Sequence, residues 1–261
     1  VIPEAAMTLL TLAALVAAAD PKMPPADAPD WKPVGTAGLK VWDVRPGTGP
    51  AIADRDTVRI HATGWTAADG KVFFSTRKQN ASQTLTLDRL VKGAQIGLVG
   101  AKPGGVRRLW IPAALGYDRP KPGIPAGSAL VFEVELLGDP LTLPDLNATE
   151  WKPGPEGLKV WDVAVGGGAA VQPGDTVTCH YTGWFPDGKK FDSSVERGQP
   201  AEFSLSGVVR GWTVGIPGMK EGGIRRLVIP YQLGYGAEGK PPTIPPRSTL
   251  VFEIEVRNTR R

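Results

Sequence analysis

The chain is written twice. Trp31-Lys-Pro-Val-Gly-Thr-Ala-Gly-Leu-Lys-Val-Trp-Asp-Val44 returns as Trp151-Lys-Pro-Gly-Pro-Glu-Gly-Leu-Lys-Val-Trp-Asp-Val163. Asp56-Thr-Val-Arg-Ile-His-Ala-Thr-Gly-Trp65 returns as Asp175-Thr-Val-Thr-Cys-His-Tyr-Thr-Gly-Trp184, and Gly104-Gly-Val-Arg-Arg-Leu-Trp-Ile-Pro112 as Gly222-Gly-Ile-Arg-Arg-Leu-Val-Ile-Pro230. Leu130-Val-Phe-Glu-Val-Glu135 returns as Leu250-Val-Phe-Glu-Ile-Glu255. The offset is 118–120 positions throughout, far beyond a solenoid repeat of 20–50, so whole domains are duplicated. Each copy is long enough to bury its own core. The boundaries read as 31–138 and 151–261, joined by a linker at 139–150 that contains Pro140, Pro144 and Asn147.

Within a copy the hydrophobic period is two. Val177, Cys179 and Tyr181 share one face, with Thr176, Thr178, His180 and Thr182 on the other. Leu250, Phe252, Ile254 and Val256 alternate with Glu253, Glu255 and Arg257, as in half-buried antiparallel strands. One segment departs: Val209, Trp212 and Ile216 form the stripe of a short helix, stopped by Pro217-Gly218. With 33 Gly and 26 Pro favouring turns over long helices, the expected class is α+β, each domain an antiparallel sheet wrapped around one short helix.

Charge and residue supply narrow the chemistry. Thirty basic against 26 acidic side chains, without a Lys/Arg block, do not indicate a nucleic-acid partner. A single cysteine, Cys179, excludes an internal disulfide, and two histidines, His61 and His180, leave little for a metal site. Neither metal nor cofactor is expected. Gly166-Gly-Gly168 lacks a following Gly-Lys-Ser/Thr and reads as a turn. The histidines are expected to be packed and hydrogen-bonded, and Arg107-Arg108 and Arg225-Arg226 to be solvated starts of strands. The apolar run 7–19, ending in an A-x-A pattern, is too short for the roughly 20 residues of a membrane span and suits a secretory signal, although no basic residue precedes it. A Pro-rich spacer, 20–30, follows it. Export to a periplasmic or extracellular compartment is expected if 7–19 is a signal, and a cytoplasmic location otherwise.

His180-Tyr-Thr-Gly-Trp-Phe-Pro-Asp-Gly-Lys-Lys-Phe-Asp-Ser-Ser194 is followed in order by Val208-Val-Arg-Gly-Trp212, Leu233-Gly-Tyr-Gly-Ala237, Ile244-Pro-Pro246 and Thr249-Leu-Val-Phe252. This series resembles the FKBP-type peptidyl-prolyl isomerases across residues 155–257. The resemblance implies two tandem FKBP-like domains, of which the second would rotate Xaa-Pro bonds in folding polypeptides. Proline-containing polypeptides are the implied partners, and macrolide inhibitors a further ligand class. Carried over by the match, Trp212 is the pocket floor, Tyr181, Phe191 and Phe252 are aromatic walls, and Val208, Val209 and Ile244 form an aliphatic rim. Tyr235 offers its hydroxyl to a substrate carbonyl beside the Val209 N–H, and Asp192 bonds Tyr181. Asp192 could otherwise organise a turn with Ser193 and Ser194. Ala201 replaces an aromatic common in the family, and the segment between Leu205 and Val208 is two residues short, so one pocket edge is open or reshaped.

The first copy keeps Phe73, Leu90, Val91, Tyr117, Ile124 and Phe132 at the positions of Phe191, Val208, Val209, Tyr235, Ile244 and Phe252. It has Ala62 for Tyr181, Phe74 for Asp192 and Ala94 for Trp212, and is expected to be a degenerate, inactive relative of the second. The vacated space is expected to collapse, fill with water, or take in the Phe74 ring. A rival of another class is a non-catalytic polypeptide-binding module or holdase.

Overall fold

The structure, a computed structural model, describes residues 21–261; the expected signal at 7–19 lies outside the described residues. The first domain contains strands β1 (Lys32–Val34), β2 (Leu39–Arg45), β3 (Thr57–Thr66), β4 (Val72–Ser75) and β5 (Gln83–Thr86), helix α1 (Lys92–Leu98), and strands β6 (Val106–Ile111) and β7 (Leu130–Leu137). The second repeats the order with β8 (Lys152–Pro153), β9 (Lys159–Ala164), β10 (Thr176–Trp184), β11 (Lys190–Ser193), β12 (Ala201–Ser204), α2 (Arg210–Gly215), β13 (Ile224–Ile229) and β14 (Leu250–Arg260). Each domain has one seven-stranded antiparallel sheet, ordered β1-β2-β6-β7-β3-β4 and β8-β9-β13-β14-β10-β11, with β5 and β12 paired to β3 and β10. The expected α+β class and duplication are both present.

The helices are short because the chain gives them no more room. Val209 and Ile216 flank α2 as its caps, and Gly218 turns away with φ of +84°. Gly211 and Gly215 let α2 lie directly on the sheet, since a Cβ on either would stand within 3 Å of Ile229 or Leu227. The second core gathers Leu158, Val177, Cys179, Trp212, Ile216, Leu227, Ile254 and Val256 between sheet and helix. Burial pushes the Cys179 thiol up to about 12, leaving it an inert core residue.

Two expectations about charge are corrected. Arg225 and Arg226 are not solvated: Arg225 pairs with Asp162, and Arg226 is buried, donates to Glu253 and lies 4.4 Å above the Trp161 ring. Arg107 and Arg108 repeat this with Asp43, Glu133 and Trp42. Nor is β14 half-buried. Its polar residues Glu253 and Glu255 are buried because the first domain covers that face. Arg59 from β3 meets Glu253 at 2.5 Å, Ser82 donates twice to Glu255, and Asn80 donates to Glu221. His61 bridges the domains, with Nδ1 3.0 Å from Thr76 Oγ1 and Nε2 3.0 Å from the Gly222 carbonyl. The stretch 139–150 is ordered like its upstream counterpart: the Trp151 indole donates to the Asp145 carbonyl as Trp31 does to Pro25.

Burial, aided by the Arg77 guanidinium, holds His61 below its ordinary pKa of 6.5, outweighing Glu255, Glu135 and the Gly222 carbonyl. Burial and the Arg257 guanidinium act the same way on His180. The unfolded chain therefore binds protons at these rings before the folded chain does. Their contribution is complete above about pH 6.5 and declines as pH falls through that value. The melting temperature should drop between pH 8 and pH 5.5, and His61→Gln should drop less over the same range. Parallel profiles would contradict this linkage.

Candidate functional site

Three strands and α2 bring the expected aromatic residues of the second domain to one place. Tyr181 comes from β10, Phe191 and Asp192 from β11, Phe252 from β14 and Trp212 from the middle of α2. Because β10 pairs with both β11 and β14, Gly183 faces Asp192 on one side and Phe252 on the other. This glycine is needed for space: a Cβ would stand 2.5 Å from Phe191 and 2.9 Å from Phe252. The two rings lean over the bare backbone and meet edge to face, 5.5 Å apart.

Trp212 is the hub. Its ring is T-shaped against Tyr181 at 5.5 Å, Phe252 at 5.3 Å and Phe203 at 5.2 Å. Such edge-to-face pairs each add about 0.5–1.5 kcal/mol beyond burial, so the cluster is rigid as well as apolar. The indole Nε1 is buried with no hydrogen-bond partner among the described residues, a cost that leucine or phenylalanine would avoid. Phe203 was not anticipated from sequence. It lies two residues after Ala201 on β12, hence on the same face, and packs against Tyr181 at 5.5 Å on the side where Ala201 lacks a ring.

A polar network holds this wall. The Tyr181 hydroxyl donates to Asp192, and Arg197 donates both to Asp192 and, at 3.0 Å, to the Tyr181 hydroxyl oxygen. Arg197 was also unanticipated; it follows Asp192 by five residues in the turn after β11. Burial, then the bond to Asp192, pushes the Tyr181 hydroxyl up to about 12. For Asp192 burial acts upward, but the donors Tyr181 and Arg197 outweigh it and hold the carboxyl below the usual range. The alternative role for Asp192, turn-building, falls to its neighbours: Ser193 Oγ accepts from the Glu196 N–H, and Ser194 Oγ accepts from the Tyr181 N–H. His180 lies against Ser194 and points away from the rings' cavity chemistry, as a hydrogen-bonded packing residue.

The remaining expected residues pack against the same core. Val208, Val209 and Tyr235 are half-buried against the core, and Ile244 is buried, held by its backbone bridge to Lys240. Val209 precedes the first turn of α2, and its N–H has no partner among the described residues. The Tyr235 hydroxyl has none either, and Lys240 Nζ lies 5.5 Å from its ring. The second domain thus brings together a packed aromatic cluster, a hydrogen-bonded carboxylate beside Tyr181, and two hydrogen-bond donors without a partner among the described residues. Among the described residues no group of His, Cys, Asp or Glu is placed to hold a metal ion.

The first domain differs at the hub. Ala94 on α1 and Ala62 on β3 leave a cavity of about 710 Å³, lined by Phe73, Phe132, Leu98 and Tyr117 among others. Phe74 lines this cavity without filling it, so the space neither collapses nor takes in that ring. The scaffold beneath is retained: Thr76 takes the place of Ser194, bonding the Ala62 N–H and His61.

The family model for FKBP-type peptidyl-prolyl cis-trans isomerase matches residues 49–137 and again 167–257. A probable FKBP-type peptidyl-prolyl cis-trans isomerase of Haemophilus influenzae is 53% identical over 93 residues, covering 36% of this chain and 39% of that protein. An FK506-binding protein of Neisseria meningitidis is 48% identical over 102 residues, 38% of this chain and 94% of that protein. The isomerase FkpA of Escherichia coli is 49% identical over 100 residues, 38% of this chain and 37% of its own length. The chain therefore spans under two fifths of the length of FkpA and of the Haemophilus relative, and nearly all of the Neisseria one.

Gly183→Ala should displace Phe191 or Phe252. Overpacking of this kind costs typically 1–3 kcal/mol, read as a lower urea midpoint together with a changed near-ultraviolet circular dichroism of the aromatic cluster. An unchanged midpoint and spectrum would show that the rings do not depend on the bare backbone.

Proposed function

Because the chain belongs to the FKBP-type peptidyl-prolyl cis-trans isomerase family, we propose that its second domain catalyses rotation about Xaa-Pro bonds in polypeptides. The observation that carries the reading is Trp212 enclosed by Tyr181, Phe203 and Phe252, with unpartnered donors Val209 N–H and Tyr235 hydroxyl at the rim.

Rotation about an amide bond has a barrier of about 18–20 kcal/mol because resonance must be broken. The uncatalysed Xaa-Pro reaction takes tens to hundreds of seconds. Halfway through rotation the nitrogen lone pair is no longer shared with the carbonyl, and the C–N linkage is less polar than in either planar form. An apolar cell binds that state better than the planar ones, and each 1.4 kcal/mol of this preference gives about tenfold in rate. The proline ring would rest on Trp212 between Tyr181, Phe191 and Phe252, with Val208, Val209 and Ile244 as the rim. Tyr235 and the Val209 N–H would hold neighbouring carbonyls, while Asp192 and Arg197 keep Tyr181 upright. Tyr181, with its pKa at about 12, and the low-pKa Asp192 stay in one protonation state near neutrality, so no proton transfer enters the mechanism. A macrolide would occupy the same cell, with Phe203 closing the side that Ala201 leaves low. If residues 7–19 serve as an export signal, the clients are polypeptides folding outside the cytoplasm.

Three outcomes are expected in a protease-coupled assay of the full chain on an Xaa-Pro peptide. Tyr235→Phe should lower kcat/KM modestly, about two- to tenfold, as one hydrogen bond of about 0.5–1.5 kcal/mol is lost. Asp192→Val should lower it further. The wild-type rate should be level from about pH 5.5 to 8, since His180 sits outside the cell and the two titrating groups inside do not change state. Full activity in both variants would remove these residues from the site. Aggregation suppression without any rate enhancement would favour the holdase.

A further inference from the structure

The first domain has lost the floor and one wall of the pocket while keeping the rest of it, and the result is a deep open cavity. Ala94 stands where an indole stands in the second domain, and Ala62 where a phenol stands, so the space of two aromatic rings is vacant in one place. At about 710 Å³ the cavity lies within the roughly 300–1,000 Å³ typical of ligand sites, and its depths are apolar, with Leu98, Leu109 and Phe132. Its mouth is polar and cationic. Arg89, Lys92, Arg119 and Lys121 are exposed around it, and Asp118 is the carboxylate among the described lining residues. The two edge donors persist. Neither the Val91 N–H, just before α1, nor the Tyr117 hydroxyl has a hydrogen-bond partner among the described residues.

We propose that this cavity is a second polypeptide site, which holds an extended acidic segment by a large aromatic side chain. The aromatic ring fills the volume vacated by the indole and phenol and displaces water from the apolar lining. Backbone carbonyls beside it accept from Val91 and Tyr117, and acidic neighbours face the cationic rim. A proline ring is too small to fill this depth, so the first domain selects by aromatic bulk and charge where the second selects by proline. Assigning the two donors to peptide carbonyls rests on the reading of their counterparts in the second domain. The cavity and its charge do not.

The test uses the full chain and a fluorescein-labelled, proline-free peptide, Gly-Glu-Glu-Trp-Glu-Glu-Gly, followed by fluorescence anisotropy. Saturable binding is expected, weakening at least tenfold when the peptide tryptophan is replaced by alanine, and weakening as salt rises. Ala94→Trp should lower affinity at least tenfold while kcat/KM on an Xaa-Pro peptide stays at the wild-type value. The exposed pair Arg89→Glu with Arg119→Glu should do the same, and decides the question if Ala94→Trp fails to fold. Binding should survive Asp192→Val, which separates this site from the second-domain pocket whether or not that pocket is catalytic. The proposal is overturned if wild type does not bind the peptide saturably, or if folded Ala94→Trp or the charge-reversed pair binds it as well as wild type. It is equally overturned if dodecanoate, or a second copy of the chain, occupies the cavity while the peptide does not.

Discussion

A curled antiparallel sheet closed over a helix of six or seven residues encloses a volume that essentially one side chain must fill. That side chain is the third residue of the helix, Trp212 in α2 and Ala94 in α1. Gly211 and Gly215, and Gly93 and Gly97 in the first domain, press each helix onto the sheet. With tryptophan there, Tyr181, Phe203 and Phe252 pack edge-on around it as an aromatic cluster. With alanine, the same backbone presents a deep cavity. The contrast between an aromatic cluster in the second domain and a cavity in the first follows from this substitution and its partner at Tyr181 and Ala62.

The two domains are joined through charge. Glu253 accepts from Arg226 of its own sheet and from Arg59 of the other domain, with the carboxylate and both guanidiniums buried. In the first domain the equivalent Glu133 is less buried and pairs with Arg108. Buried pairs return little net stability compared with well-packed apolar residues, but removing one partner typically costs 3–5 kcal/mol. A docking that kept Arg59 buried but separated it from Glu253 would leave a charge without its partner. Because β14 carries Phe252 on one face and Glu253 on the other, the strand that supplies a pocket wall also supplies the docking surface.

Much of this was legible in the sequence because duplication supplies its own control. The constant offset gave the domains, and alternation in β10 and β14 gave the sheet faces. The positions that differ between copies, Tyr181 and Ala62, Trp212 and Ala94, are those that distinguish the aromatic cluster of the second domain from the cavity of the first. The errors share one cause. Alternation reports which residues are polar and not what covers them, so Glu253, Glu255 and Arg226 read as solvated when their partners sit on another strand or in the other domain. Phe203 is hard to single out in sequence because the departure at Ala201 is the stronger signal, although strand periodicity puts both on one face. Arg197 was missed because a charge in a turn carries no periodic signal; only its distance to Tyr181 reveals it.

Xaa-Pro rotation is expected on Trp212 in the second domain and not in the cavity of the first. Two-dimensional exchange spectroscopy of an Xaa-Pro tetrapeptide with substoichiometric full chain should then show cis–trans exchange peaks at mixing times of a second or less, where the free peptide, exchanging over tens to hundreds of seconds, shows none. On the protein, the Trp212 indole N–H and the Val209 amide should shift, while the amides of Ala62 and Ala94 stay in place. Absence of exchange peaks, or shifts confined to the first domain, would contradict it.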